Sequence, residues 1–372
     1  MGFLRTFLAI AVVLGHSTPI QGYFGIPPDV AVTVFFMVSG FYMSLILSEK
    51  YVGTAGLRAF YTGRALRIFP IYYVALLSMV AAQIVASHFG GETILSNWEF
   101  VRSSDVSTAE GALWMLPNLV LFGSDLPFLF HHGPIAGTFF SFGLPDPALP
   151  DAVRISPSLL IGPAWTLGAE LWFYLLVPFL ARFRNLSLLA LAIGSLVLKI
   201  YLEHGAPWSS YFFFPANLCF FLFGMLSQRV CRSAPFIQGF KRLPSSTPTI
   251  LATVVLSLLV FRQYIPLYRN YGGMLYVLIA ASLPLLFTVT KRLSFDRWIG
   301  TLSYPIYILH APVLLLFHEV MGWKSGAAAL LGTLTISVAA VLLIDEPLER
   351  WRQRRIRSLL SVSPTPCHGI NS

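Results

Sequence analysis

The chain has 372 residues, of which 56% are hydrophobic and only 11% charged, with a formal net charge of +9. A soluble globular domain carries roughly 25% charged residues, so water is excluded as the main solvent. The basic residues are spread over many short segments rather than gathered in one patch, which argues against a nucleic-acid partner. The three cysteines, Cys219, Cys231 and Cys367, have neither zinc nor disulfide spacing, and no metal site is expected.

A bilayer core about 30 Å thick needs about 20 mostly apolar residues per helix. Such runs recur along the chain, and they predict ten spans near 3–20, 30–48, 66–87, 165–182, 185–203, 208–228, 248–262, 272–290, 298–317 and 325–344. The expected fold is all-α: a polytopic integral membrane bundle. Met1 to Thr6 fits a myristoylation pattern, and the stretch to Leu14 resembles a secretory signal. No small-residue cleavage site follows Leu14, and nine further spans make a lipid anchor redundant. Residues 1–345 are therefore read as one membrane domain and 346–372 as a basic cytoplasmic tail.

Orientation follows from lysine and arginine, which are retained in the cytoplasm. One set of loops and ends holds nineteen of them: Arg5; Lys50, Arg58, Arg64 and Arg67; Arg182 and Arg184; Arg229, Arg232, Lys241 and Arg242; Lys291, Arg292 and Arg297; and five between Arg350 and Arg357. The opposite set holds five: Arg102, Arg154, Arg262, Arg269 and Lys324. Both termini are expected in the cytoplasm of a cell whose inner membrane the chain crosses. The long loop 88–164 then lies outside and is rich in Pro, Gly, Asp and aromatics, including Trp98, Trp114, His131 and His132. Loops of that length are usually functional. Its apolar stretch Leu113 to Phe122 is too short to span and is expected to be re-entrant or interfacial.

Ionisable residues inside spans are costly, so each is a functional hypothesis. His16 follows Arg5 by eleven residues, which puts both on one helical face roughly 16 Å apart. Arg5 also serves as a topology signal, and His16 also fits as a satisfied helix-end residue; the sharper reading is a channel with an anion-binding cation at one end and a general base at the other. Ser39 and Gly40 suit close helix packing. Arg64 and Arg67 share a face at the cytoplasmic mouth of the third span, where paired guanidinium groups suit phosphates. Glu170 is the only carboxylate in the helix that Trp165 opens. It needs a partner, for which His16 is the candidate. Tyr304, Tyr307 and His310 form a polar stripe at three-residue spacing, able to line a pocket or to knit helices. Asp345-Glu346-Pro347 reads as an interfacial stop.

In this order, the segments resemble the membrane acyltransferase 3 family, bacterial O-acyltransferases that decorate sugars and cell-surface glycans. The resemblance rests on Arg5 to His16, on Phe35 to Phe41, and on Arg64 with Arg67. It also rests on Trp165-Thr166-Leu167 followed by Glu170 and Phe173-Tyr174, and on Ser303 to His310. Thr166 departs from the usual Ser, and Asp345 from the usual Glu of a closing Glu-x-Pro motif. No fused esterase-like domain is expected after the tenth span.

The resemblance implies catalytic roles for His16 and Glu170 and donor binding by Arg5, Arg64 and Arg67. It implies a substrate pocket at Ser39, Trp165, Tyr304, Tyr307 and His310. No cofactor is implied; acyl-CoA, acetyl-CoA first, is the co-substrate and a saccharide hydroxyl the acceptor, with the lipid bilayer as surroundings. The rival reading is a transporter or flippase for a glycan or glycolipid, although the sequence lacks the internal repeat expected of many transporters.

Overall fold

The computed structural model describes residues 1–17, 25–49, 53–89, 108–133, 137–141, 152–242, 244, 246–260, 272–323 and 325–361. Trp98, Lys50, Arg102, Arg262, Arg269, Lys324 and the tail beyond 361 lie outside them. In chain order the elements are α1 (Gly2–His16), α2 (Pro28–Glu49), α3 (Gly53–His88), α4 (Thr108–Val120), β1 (Phe130–Gly133), β2 (Gly137–Phe140) and β3 (Val153–Arg154). There follow α5 (Trp165–Leu180), α6 (Asn185–Gly205), α7 (Pro207–Phe212), α8 (Phe214–Cys231), α9 (Ala234–Arg242) and α10 (Thr247–Val260). The last are α11 (Gly272–Thr290), α12 (Ser294–Leu315), α13 (Gly326–Ala340) and α14 (Glu346–Ser361).

Among the described residues, six helical stretches are long and apolar enough to cross a membrane: Pro28–Glu49, Gly56–His88, Asn185–Gly205, Gly273–Thr290, Ser294–Val320 and Gly326–Leu359. The others expected to span are shorter or more polar. α1, α5 and α10 have 15, 16 and 14 residues, and the 18 residues of α8 include Pro215, Asn217, Gln228 and Arg229.

α1 is apolar on nearly every side, and such a helix belongs inside a bundle. Leu8, Ala9, Ala11, Val12 and Val13 are all fully buried between α2 and α12. α6 is the opposite case: most of its surface, including Leu186, Ile193, Val197 and Tyr201, faces outward. In a membrane that face meets lipid rather than water.

Two crossings bring backbones into contact. A Cβ on Gly40 would fall 1.9 Å from the Phe221 carbonyl oxygen, and one on Gly224 would fall 1.9 Å from the Met37 carbonyl oxygen. This is the close approach that small residues permit between membrane helices. Gly40→Ala must therefore separate α2 from α8, and overpacking of this kind costs about 1–3 kcal/mol. The expected result is a lowered melting temperature in detergent, read by size-exclusion chromatography after heating. The second crossing joins α1 to α12, where a Cβ on Gly2 would meet the Asp296 carbonyl oxygen. There the Asp296 carboxylate accepts the Gly2 and Phe3 N–H groups, each at 2.8 Å. It thereby caps the orphaned start of α1.

The structure departs from the sequence expectations in four places. α3 begins at Gly53, thirteen residues before the expected span, because a helix need not start where the apolar run starts, and it continues through Pro70 to His88. The expected 208–228 span is broken at Phe213, which is extended at φ −73°, ψ 111°. Pro215 lacks an N–H and fits only the first turn of the restarted helix.

The chain also does not stop at Asp345. A π-helical turn, Val341–Asp345, joins α13 to α14, and it contains Leu343, whose carbonyl a regular helix would press against the Pro347 ring. α14 lies on α3, with Ile356 buried and Arg352 donating to the Gly63 carbonyl at 3.4 Å.

Finally, the all-α expectation missed a three-stranded antiparallel sheet of order β2-β1-β3 in the long loop. Its strands have two to four residues, too few for a period-two pattern. Before the sheet, α4 covers the apolar stretch read as interfacial. Its Leu113, Leu116 and Leu119 are exposed, while Trp114 and Asn118 are buried. Tyr72 and Tyr73, midway along α3, donate to the Asn118 and Leu119 carbonyls, each at 2.8 Å, and hold the helix in place.

Candidate active site

Helices α1, α2, α3, α5 and α12 enclose a cavity of about 370 Å³. Seven of the ten residues singled out by sequence line it: Arg5 from α1, Ser39 from α2, Arg64 and Arg67 from α3, Glu170 from α5, and Tyr304 and Tyr307 from α12. Five elements far apart in sequence thus converge on one space. The remaining three, Trp165, His310 and His16, lie beyond that lining.

Four arginines, Arg5, Arg64, Arg67 and Arg297, line the cavity together with two carboxylates, Glu170 and the Asp296 that caps α1. Ser39 Oγ and Tyr174 OH both donate to Glu170 Oε1, each at 2.6 Å. Hydrogen bonds to a charged acceptor are worth about 1.5–3 kcal/mol each, which stabilises a carboxylate removed from water. Tyr174 lies four residues after Glu170 and so one turn along the same face. That spacing was legible in the sequence, yet Tyr174 was not counted as a site residue. The Arg64 guanidinium sits 5.8 Å from the Tyr174 ring centre, and its buried Nε has no partner among the described residues. Arg64 is thus left with donor capacity for a ligand.

The expected His16–Glu170 pair is not formed among the described contacts. Glu170 is held by hydroxyl groups instead, and His16 sits at the exposed C-terminal end of α1. Its Nδ1 lies 2.8 Å from the Val12 carbonyl. A carbonyl only accepts, so Nδ1 bears a proton, and in the neutral ring the lone pair then belongs to Nε2. The His16 ring stands 5.2 Å from that of His310, and the His310 ring 6.1 Å from that of Tyr307. Buried His310 is fixed by its own Nδ1, 2.6 Å from the Tyr307 carbonyl.

The tyrosine stripe both lines the space and knits helices. Tyr304 OH donates to the Ile68 carbonyl at 2.7 Å, while Tyr307 OH is 2.8 Å from Thr166 Oγ1 and donates to the Pro163 carbonyl at 3.1 Å. Thr166, the residue that departs from the expected Ser, keeps its hydroxyl in this network. Trp165 packs against Phe36, Tyr211 and Phe212, one layer behind the cavity wall.

Sequence reasoning also passed over the polar interior of the outer segment. Glu110 lies 3.1 Å from Nδ1 of buried His132 and accepts from Thr138 Oγ1. His131, beside it on β1, is buried with neither ring nitrogen partnered among the described residues. Burial, and secondarily Arg154, lowers its pKa.

Asp125 lies between α4 and β1 and is buried except for a 3.2 Å bond from Trp172 Nε1. Desolvation pushes it up to about 6 from its ordinary 3.8. A carboxyl with a raised folded pKa contributes its full stability below pH 3.8 and loses it as pH rises through about 6. Asp125→Asn keeps the acceptor for Trp172. It is expected to flatten the melting temperature between those values and to raise it at neutral pH, an effect of up to about 3 kcal/mol.

The chain is 27% identical to the peptidoglycan O-acetyltransferase OatA of Listeria monocytogenes, over 95% of its own length and 55% of that protein's. It is 26% identical to the putative peptidoglycan O-acetyltransferase YrhL of Bacillus subtilis, over 85% and 48%. It is also 26% identical to nodulation protein 10 of Rhizobium leguminosarum, over 54% and 50%. The chain thus spans about half the length of the curated relatives it matches. No solved structure matches it. The profile described as an acyltransferase domain matches residues 1–345, the whole of the helical region that builds the cavity, and the chain belongs to this acyltransferase 3 family.

Proposed function

We propose that the chain is a multi-pass membrane O-acyltransferase. It moves an acyl group, in the first place acetyl, from cytoplasmic acyl-CoA to a hydroxyl of a saccharide or cell-surface glycan. The observation that carries the reading is one cavity in which Arg5, Arg64 and Arg67 converge with Ser39, Glu170, Tyr304 and Tyr307. Guanidinium groups suit the donor's phosphates. The polar wall beyond them suits a thioester on its way to the His310 and His16 rings. The topology is ten crossings of the inner membrane with both ends in the cytoplasm, supported by the segregation of basic residues.

The acceptor hydroxyl attacks the thioester carbonyl, the carbon–sulfur bond breaks, and His16 Nε2 takes the hydroxyl proton and returns it to the departing thiolate. Glu170, held by Ser39 and Tyr174, sets the field in the cavity rather than orienting His16. His310 positions His16 through ring contact. Peptidoglycan, named in the two O-acetyltransferase relatives, is the first acceptor to examine.

Mass spectrometry of surface glycans from cells with and without the gene tests the reading. O-acyl groups should vanish on deletion and return with the wild-type gene. Loss of the glycan itself with its acylation pattern intact would indicate a transporter instead.

A further inference from the structure

A second cavity, about 610 Å³, opens where α2, α5 and α8 end and α3 begins. Ser44, Leu47 and Ser48 of α2 face it, whereas Tyr42, Met43 and Ile46 of the same helix face the first cavity. Its described lining carries Arg182, Arg229 and Arg232 and no carboxylate.

These arginines are unequally engaged. Arg229 donates to the Ala181 and Phe183 carbonyls and to Asn185 Oδ1, which completes the C-terminal end of α5. Among the described residues Arg232 donates one bond, to Ser48 Oγ at 2.5 Å, which leaves most of its five donors without a partner there. The exposed Arg182 guanidinium has no partner among the described residues. Below them Gln228, 1% exposed, lines the cavity. Its Oε1 accepts from Ser44 Oγ at 2.8 Å while its Nε2 has no partner among the described residues. A buried amide donor without an acceptor is costly. An anionic oxygen in the cavity would satisfy it together with the two free guanidinium groups.

Two surroundings point to a lipid as the source of that oxygen. Phe179, Phe183 and Leu186 are exposed beside the opening, on the side where acyl chains would run. The helix after the site, α9, buries no residue; it stacks Phe236 on Phe240 and ends in Lys241 and Arg242. That is the pattern of a helix lying in a headgroup layer. We infer that this cavity seats the phosphate of an anionic phospholipid from the leaflet on the basic, cytoplasmic side. The assignment rests on the proposed orientation and not on the acyl-transfer reading.

The test is native mass spectrometry of the full-length protein in detergent, titrated with phosphatidylglycerol or phosphatidylcholine. A basic residue near an anionic lipid surface contributes roughly fivefold. Wild type should prefer phosphatidylglycerol by about tenfold or more, and the Arg182→Gln/Arg232→Gln double variant should prefer it by about twofold or less. Excess inorganic phosphate or coenzyme A should leave the bound lipid in place. Equal affinities in wild type, or an unchanged preference in the double variant, would overturn the inference. Displacement by phosphate or coenzyme A would also overturn it, since the site would then take a soluble phosphate. A double variant that fails to fold leaves the wild-type comparison decisive. Acyl transfer measured in parallel separates this result from the fate of the active-site proposal.

Discussion

A His16→Ala variant is expected to lose acyl transfer by about 10²- to 10⁴-fold, the range of a general base, while inserting and folding normally. His16 is exposed, and its described contacts are the Val12 carbonyl on its own helix and the His310 ring. Removing the imidazole therefore opens no core. His310 differs, because it is buried at 1% exposure and its loss would disturb both packing and catalysis. The discriminating assay pairs transfer from labelled acetyl-CoA with size-exclusion profiles of the purified variant. Full activity in a well-folded His16→Ala protein would remove His16 from the mechanism.

The second large effect is expected at Arg64 and Arg67. Either one changed to alanine should raise KM for acyl-CoA by about 10- to 100-fold with a smaller change in kcat, because a phosphate contact remote from the reacting carbon binds ground and transition states alike. Arg64→Lys should restore only part of the loss, since an ammonium lacks the planar fork that grips phosphate in two places. A kcat defect at unchanged KM would mean that these arginines act on the reacting centre instead. Arg5, which lines the same cavity from α1, is predicted to behave like them.

Composition and the spacing of polar residues made much of this site legible. The Arg64–Arg67 pair, Glu170 and the Tyr304–Tyr307 stripe were visible as costly groups in apolar runs, and the fold brings them to one cavity. Their partners were harder to read. Glu170 is satisfied by Ser39, 131 positions earlier, and no local pattern reports a contact of that range. The nearer hydroxyl, Tyr174, was available from the one-turn spacing.

The helix edges failed where hydropathy is a poor guide. α3 continues through the basic residues Arg58, Arg64 and Arg67 because a helix need not end where the apolar run ends. The chain passes Pro347 because a π-turn absorbs it. The β1–β3 sheet could not be anticipated from strands so short. The role of Gly40 was legible, and its contact with Phe221 gives the reason only glycine fits there.

The central claim is that acyl-CoA, bound at the arginine end of the cavity, delivers its acyl group to a saccharide hydroxyl by way of His16. The most direct measurement supplies acetyl-CoA, labelled in the acetyl group, to the cytoplasmic face of sealed vesicles containing the purified protein and a peptidoglycan fragment. The account predicts label in ester linkage on the saccharide with wild type and at least about 10²-fold less with His16→Ala. Label that never leaves the donor in the presence of folded wild-type protein, or equal incorporation by the variant, would contradict it.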